Sequence, residues 1–197
     1  MNTVLAFVLP LFGYLCGSLA SAIIVCRIMK LPDPRTQGSG NPGATNVLRV
    51  GGKKAAALTL AGDVLKGVVP VLLAHVLTDS PAILSATAIA AVVGHMYPVF
   101  FQFKGGKGVA TAFGAVAGLL YPVALFMGAV WVLTALTTRY ASLASIAAAV
   151  AAPFFALMFI QEPVYALALA VIAALLVYRH RGNIQRLRQG TESQISL

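Results

Sequence analysis

Two glycine-rich polar stretches interrupt an otherwise apolar chain, and their residue types suit a phosphate group. The first runs Gly38-Ser-Gly-Asn-Pro-Gly-Ala-Thr-Asn-Val-Leu-Arg49. Its glycines Gly38, Gly40 and Gly43 permit φ > 0 and close backbone approach, and successive N–H groups in such a turn form a concave nest for anions. Ser39, Asn41, Thr45 and Asn46 add short neutral hydrogen-bonding groups, and Arg49 adds a forked cation suited to phosphate. The second stretch, Lys104-Gly-Gly-Lys-Gly108, sets Lys104, Gly106 and Lys107 just before a helix, where free N–H groups and the helix dipole favour an anion. Neither is a nucleotide-binding P-loop, which needs Gly-x4-Gly-Lys-Ser/Thr between a strand and a helix. Gly108 follows the lysine in one, and Ala44 follows Gly43 in the other. A polar linker and a positive loop that only sets topology are the plain alternatives.

Three further sets of polar residues need an explanation. Asp63 and Lys66, in Gly62-Asp-Val-Leu-Lys-Gly67, lie three apart on one helical face. An ionised side chain at mid-membrane costs about 2.5–3.5 kcal/mol, so either the two pair or the Gly62–Gly67 turn lies shallower than a straight helix implies. They either support a site or fix helix packing. His95, with Tyr97 and Pro98, falls toward the inner end of another apolar segment. In the tail, Tyr178-Arg-His-Arg-Gly-Asn-Ile-Gln-Arg-Leu-Arg188, the basic residues suit anionic lipid. His180 and Asn183, three apart, point together if the preceding helix continues. His75 and Asp79 do not form the His-x4-Asp signature of the familiar glycerolipid acyltransferases and read as structural. No Cys/His cluster suits zinc, no carboxylate set suits a metal, and no Gly-x-Ser-x-Gly elbow occurs. No metal, no cofactor and no activated nucleophile is expected.

The elements that must position these residues are membrane helices. The chain has 197 residues, 59% hydrophobic and only 10% charged, against roughly 25% charged in a soluble domain. It is expected to form one polytopic all-α domain, 1–197, with seven transmembrane helices. Val4–Val25 is long enough for a bilayer, which takes about 20 residues. No Lys or Arg precedes Arg27, so this segment stays as an anchor with the N-terminus outside. Cys16 and Cys26 lie about 15 Å apart along it, too far for a disulfide. Arg27–Lys54 is the first inner loop, Ala55–Leu77 helix 2, and Ala82–Phe103 helix 3. Val109–Thr138 is either one tilted span or two short ones broken near Tyr121-Pro122. Charge parity favours two, because a second crossing returns Arg139 inside. Ser142–Ile160 and Val164–Tyr178 complete the set, with the basic tail inside. Of the 14 Lys and Arg, all but Lys66 then lie on the cytoplasmic side, so the net charge of +9 reflects topology rather than nucleic acid.

Taken in order, Gly-Ser-Gly-Asn-Pro-Gly-Ala-Thr-Asn at 38–46, Gly-Asp-x-x-Lys-Gly at 62–67, Gly-His-x4-Phe at 94–100, Phe-Lys-Gly-Gly-Lys-Gly-Val-Ala-Thr at 103–111 and His-Arg-x-Asn-Ile at 180–184 closely resemble the bacterial acyl-phosphate:glycerol-3-phosphate acyltransferases, the PlsY family. The likeness covers nearly the whole chain; Ser142-Leu-Ala-Ser145 is a shorter match. It implies a seven-helix enzyme of the bacterial inner membrane, with its active site at the cytoplasmic face. Such an enzyme transfers a fatty acyl group from acyl phosphate to the 1-hydroxyl of glycerol 3-phosphate, giving lysophosphatidic acid and phosphate in the first committed step of phospholipid synthesis. By motif position, the resemblance puts Ser39, Thr45, Asn46, His180 and Asn183 around the acyl-phosphate group. It puts Arg49, Lys107 and Ser145 on the phosphate of glycerol 3-phosphate. It also implies that a donor phosphate oxygen takes the hydroxyl proton, in keeping with the missing Ser-His-Asp set.

The partners implied are acyl phosphate, glycerol 3-phosphate, membrane lipid and a soluble enzyme that makes the acyl phosphate. The competing class is a small transporter for an organic phosphate. That class places its site near the midplane, often between inverted repeats, whereas here the glycine-rich stretches share one face and no repeat is apparent.

Overall fold

Long apolar runs with few breakers leave the backbone only itself to bond to, and helices satisfy that demand within one segment. The computed structural model describes residues 2–195, and every regular element among them is helical. In order these are α1 (Asn2–Gly17), α2 (Ser21–Ile28), α3 (Ala44–Leu77), α4 (Pro81–Met96), a 3-10 turn (Val99–Phe101), α5 (Val109–Leu119), α6 (Tyr121–Thr138), α7 (Ala141–Phe159), α8 (Pro163–Arg179) and α9 (Arg181–Arg188). Five stretches are long and apolar enough to cross a membrane: Thr3–Ile28, Ala44–Leu77, Pro81–Phe101, Tyr121–Thr138 and Ala141–Phe159. α8 and α9, bent by 59°, make a sixth if counted as one broken span, while α5 is a shorter apolar helix. The chain divides into two compact units, Met1–Leu119 and Leu120–Leu197.

In the first unit the helices cross at glycines. A Cβ on Gly17 would run into the carbonyl oxygen of Ala91, and one on Gly94 into that of Tyr14, so α1 and α4 touch backbone to backbone. The same reciprocity joins α3 to α5: Gly67 abuts the carbonyl of Thr111 and Gly114 that of Val64. Small residues at crossings let membrane helices approach this closely. The crossings fix which side chains of α3, α4 and α5 meet.

In the second unit α7 packs between α6 and α8. Phe126 stacks on Phe155 with ring centroids 4.3 Å apart. The tail returns to the start of α7, where the Ile195 N–H donates to the Arg139 carbonyl at 2.8 Å.

The expected break at Tyr121-Pro122 is present, with Leu120 non-helical and Pro122 in the first turn of α6. Other boundaries differ. The first span is broken at 18–20, after the Gly17-Ser18 pair, rather than continuous. Helix 2, expected from Ala55, is preceded by a further helical stretch from Ala44, and the two join across a kink at Gly52, whose dihedrals are not helical (φ 78°). Helix 3 stops at Met96 and a separate turn carries the chain to Phe101.

Candidate functional site

Both glycine-rich stretches lie in the first unit, and each delivers the chain into a helix N-terminus, Gly43 before α3 and Gly108 before α5. The first is shaped by Asn46, which is 1% exposed. Its Oδ1 accepts the Ser39 N–H at 2.9 Å, and its Nδ2 donates to the carbonyls of Pro34 (2.8 Å) and Gln37 (3.0 Å). One buried amide thus holds the loop at three points. Gly38 has φ 57°, and a Cβ there would collide with Asn46 Oδ1, so glycine is required on both counts. At the base of the loop Asp33 takes a bidentate contact from Arg35, closest at 2.6 Å. Hydrogen bonds from the Arg35 side chain hold the Asp33 carboxyl below its ordinary range. Arg35 is therefore occupied locally, whereas Arg49 is exposed and makes no ion pair among the described residues. Ser39, Gly40 and Thr45 are exposed, and Asn41 and Gly43 are partly so.

The second stretch is seated on the end of α4. The Gly106 N–H donates to the His95 carbonyl at 3.2 Å. A Cβ on Gly106 would strike His95 Nε2 and lie 3.1 Å from the Pro42 carbonyl. Gly106 is thus the point where the two glycine-rich stretches meet. Lys107 follows it, partly buried, and Lys104 is exposed.

Beneath this junction lies a buried polar cluster. Lys66 Nζ stands 2.8 Å from Asp63 Oδ1 as an ion pair and donates to the Leu19 carbonyl at 2.7 Å. The pair named as one alternative from the sequence does form, and 62–67 is helical throughout. His95 Nδ1 lies 3.5 Å from Asp63 Oδ1 and 3.1 Å from Thr111 Oγ1. All four side chains are buried. Thr111 entered the sequence argument only as part of a motif. What makes it a partner of His95 is the α3–α5 crossing.

The second unit holds the remaining candidates. His180 sits at the joint between α8 and α9, so the two candidates share the first turn of a bent helix rather than a continuation of α8. Its Nδ1 is 2.7 Å from the Leu176 carbonyl. A carbonyl only accepts, so Nδ1 carries a proton. Asn183 Nδ2 donates to Glu192 Oε1 at 2.6 Å. Ser142 Oγ donates to the same oxygen at 2.7 Å, and Arg186 Nε to Glu192 Oε2 at 2.7 Å. Burial opposes ionisation of Glu192, but hydrogen bonds from Asn183, Ser142 and Arg186 outweigh it and hold the carboxyl below its ordinary range. Sequence reasoning missed Glu192; the available signal was a lone acid just after a basic run. Ser145 accepts from Trp131 Nε1 at 3.1 Å and donates to the Ala141 carbonyl at 2.7 Å.

Residues 7–190 match the family model described as glycerol-3-phosphate acyltransferase. Curated relatives of that description include one from Erwinia tasmaniensis, 53% identical over 98% of this chain and 93% of the relative. Another, from Proteus mirabilis, is 54% identical over 94% of this chain and 84% of the relative. Among solved structures, the glycerol 3-phosphate form of PlsY (YgiH), an integral membrane glycerol 3-phosphate acyltransferase, superposes with a TM-score of 0.92 at 45% identity, covering 97% of this chain and 96% of that one. Its lysophosphatidic acid form gives 0.90 at 44% identity, covering 97% and 95%.

Proposed function

The chain belongs to the glycerol-3-phosphate acyltransferase family, an integral membrane enzyme that transfers an acyl group to glycerol 3-phosphate, and we propose that its donor is an acyl phosphate. The observation that carries this is the meeting of two glycine-rich anion loops at Gly106, each opening a helix. Two substrates that each carry a phosphate call for two such loops. An acyl phosphate is a mixed anhydride and is already activated. The enzyme then needs only to orient two anions and to stabilise the charge that develops, which suits a chain without a nucleophile and base pair.

In this proposal Arg49, Lys107 and Ser145 hold the phosphate of glycerol 3-phosphate, with Lys104, Gly40, Asn41, Gly43 and Gly106 shaping the anion loops. Ser39, Thr45, His180 and Asn183 are assigned to the acyl-phosphate head, and Asn46 acts by holding Ser39 in place. The 1-hydroxyl of glycerol 3-phosphate attacks the acyl carbonyl, the carbonyl–phosphate bond breaks, and the hydroxyl proton leaves on a phosphate oxygen of the donor. The products are lysophosphatidic acid and inorganic phosphate. The whole chain forms one acyltransferase domain of the bacterial inner membrane, with seven crossings, its N-terminus outside, and its C-terminus and active face in the cytoplasm. Support for that parity comes from the Ile195–Arg139 hydrogen bond, which joins the tail to the α6–α7 turn, as two intervening crossings require. The donor is expected to come from a soluble acyl-phosphate-producing enzyme.

The test uses purified protein in lipid, labelled glycerol 3-phosphate, and acyl phosphate, acyl-CoA or acyl carrier protein thioester as separate donors. Product is expected with acyl phosphate alone. Lys107→Ala should raise KM for glycerol 3-phosphate by roughly ten- to a hundredfold, the value of a charge-assisted hydrogen bond of about 1.5–3 kcal/mol. Ser39→Ala should lower kcat. Product only with a thioester refutes the donor assignment. Loss of turnover in His180→Ala with binding of both substrates intact would move the proton to His180.

A further inference from the structure

The cluster under the two loops consists of side chains that the transfer reaction does not use, and it ends on the backbone that carries Lys107. Lys66 ties Asp63 to the carbonyl at the break in the first span. Asp63 and Thr111 both face His95 Nδ1, from α3 and α5 respectively. The ring is therefore gripped from two helices on one edge. Its opposite edge, Nε2, lies where a Gly106 side chain would be, and the His95 carbonyl takes the Gly106 N–H. Gly105 is seated as closely, since a Cβ there would strike the same carbonyl and approach Pro98 Cδ to 2.6 Å.

We propose that His95 is a positioning residue for Lys107, transmitting the fixed geometry of Asp63, Lys66 and Thr111 through the imidazole to Gly106, and so setting where the next residue presents its ammonium. The proposal rests on the assignment of Lys107 to the phosphate of glycerol 3-phosphate. Its logic is mechanical. A loop of glycines has no side chains with which to hold itself, so a rigid ring behind it supplies the stiffness. The ring is held because the flanking helices α3 and α5 are locked to each other where Gly67 meets Thr111, and its own helix α4 is locked to α1 where Gly94 meets Tyr14. The same contact with Pro42 makes Gly106 the register point between the two anion loops.

Three variants isolate the device. His95→Asn keeps a polar atom toward Thr111 and Asp63 but removes the edge behind Gly106. Gly106→Ala keeps the ring and drives a methyl into it. Thr111→Val removes one of the two groups that orient the ring, and Thr111→Ser restores it. The readouts are KM for glycerol 3-phosphate, kcat at saturation, and the melting temperature of the substrate-free protein in detergent. His95→Asn and Gly106→Ala should each raise KM by roughly ten- to a hundredfold, the order of effect of an ångström's misplacement of a binding group. Melting should stay near that of the wild type, and kcat should change far less than KM. Thr111→Val should move KM in the same direction, and Thr111→Ser should restore it. In a Lys107→Ala background, His95→Asn should add no more than about twofold, because residues acting through one group are non-additive. Where turnover of the double variant is too slow, equilibrium binding of labelled glycerol 3-phosphate replaces KM. A wild-type KM in His95→Asn, with a raised KM in Lys107→Ala, overturns the positioning role alone. Full additivity of the two substitutions, or a lowered melting temperature with KM unchanged, also overturns it and leaves His95 a packing residue. A wild-type KM in Lys107→Ala overturns the assignment of Lys107 and this proposal with it.

Discussion

Replacing Glu192 by alanine should free the C-terminal tail. The carboxylate is 8% exposed and ties together α7, α9 and the tail. Its loss leaves the Ser142 hydroxyl and the Asn183 amide without their acceptor, both on residues 6% exposed. A buried donor left unpaired costs about 1–3 kcal/mol. The Arg186 contact adds little, because its side chain is 45% exposed and exposed ion pairs contribute about 0–1 kcal/mol. The two buried donors together give about 2–6 kcal/mol. If this falls on local release of the tail rather than on global unfolding, the open population rises by roughly 30- to 20,000-fold, at about 1.4 kcal/mol per tenfold. The assay is limited trypsin digestion in detergent at native pH, following cleavage after Arg186 and Arg188 by mass spectrometry. Cleavage in Glu192→Ala should be at least about tenfold faster than in the wild type, with cuts elsewhere unchanged. Equal rates at these two sites would refute the clasp. Glu192→Gln keeps one acceptor oxygen and should fall between the two.

The same carboxylate carries a pH signature. Its folded-state pKa is depressed below the ordinary value of 4.5, so its stabilisation is fully present above that value and is lost as pH falls through the folded pKa; the melting difference between wild type and Glu192→Gln should be flat at neutral pH and shrink only below about pH 4.5. In the first loop, Asn46→Asp replaces the amide donor with an acceptor facing the Pro34 and Gln37 carbonyls. Cleavage after Arg35 should accelerate and activity should fall by at least about tenfold, since a buried charged group left unpaired costs more than a neutral one; unchanged proteolysis would sink the clamp.

The polar stretches and the helical class stood out in the sequence because composition alone separates Gly, Ser and Asn from runs of Ala, Leu and Val. The Asp63–Lys66 pair was legible through the period of the helix. Its extension to His95 and Thr111 was not, because it depends on crossings at Gly67, Gly94 and Gly114 between segments distant in the chain. Local pattern carries no record of which glycine meets which carbonyl. The same limit hid the helical stretch from Ala44: Gly51-Gly52-Lys53-Lys54 reads as a loop, and Gly52 does leave helical dihedrals, but helix flanks it on both sides. Glu192 was overlooked because a tail rich in arginine already had a sufficient explanation in lipid charge. Its partners lie at Ser142 and Asn183, 50 and 9 residues away.

The break in the first span has a bearing on biogenesis. Within a bilayer, irregular backbone is tolerated only where protein supplies the missing partners. The Leu19 carbonyl takes the Ser21 N–H locally, at 3.0 Å, and also the ammonium of Lys66, 47 residues further along the chain. A nascent first span therefore enters the membrane before the group that completes its bend has been synthesised. The second of the two contacts on that carbonyl forms only when α3 lies alongside. Insertion and folding are separate events for this segment, and the lysine whose charge burdens its own helix during insertion is the one that finishes its neighbour.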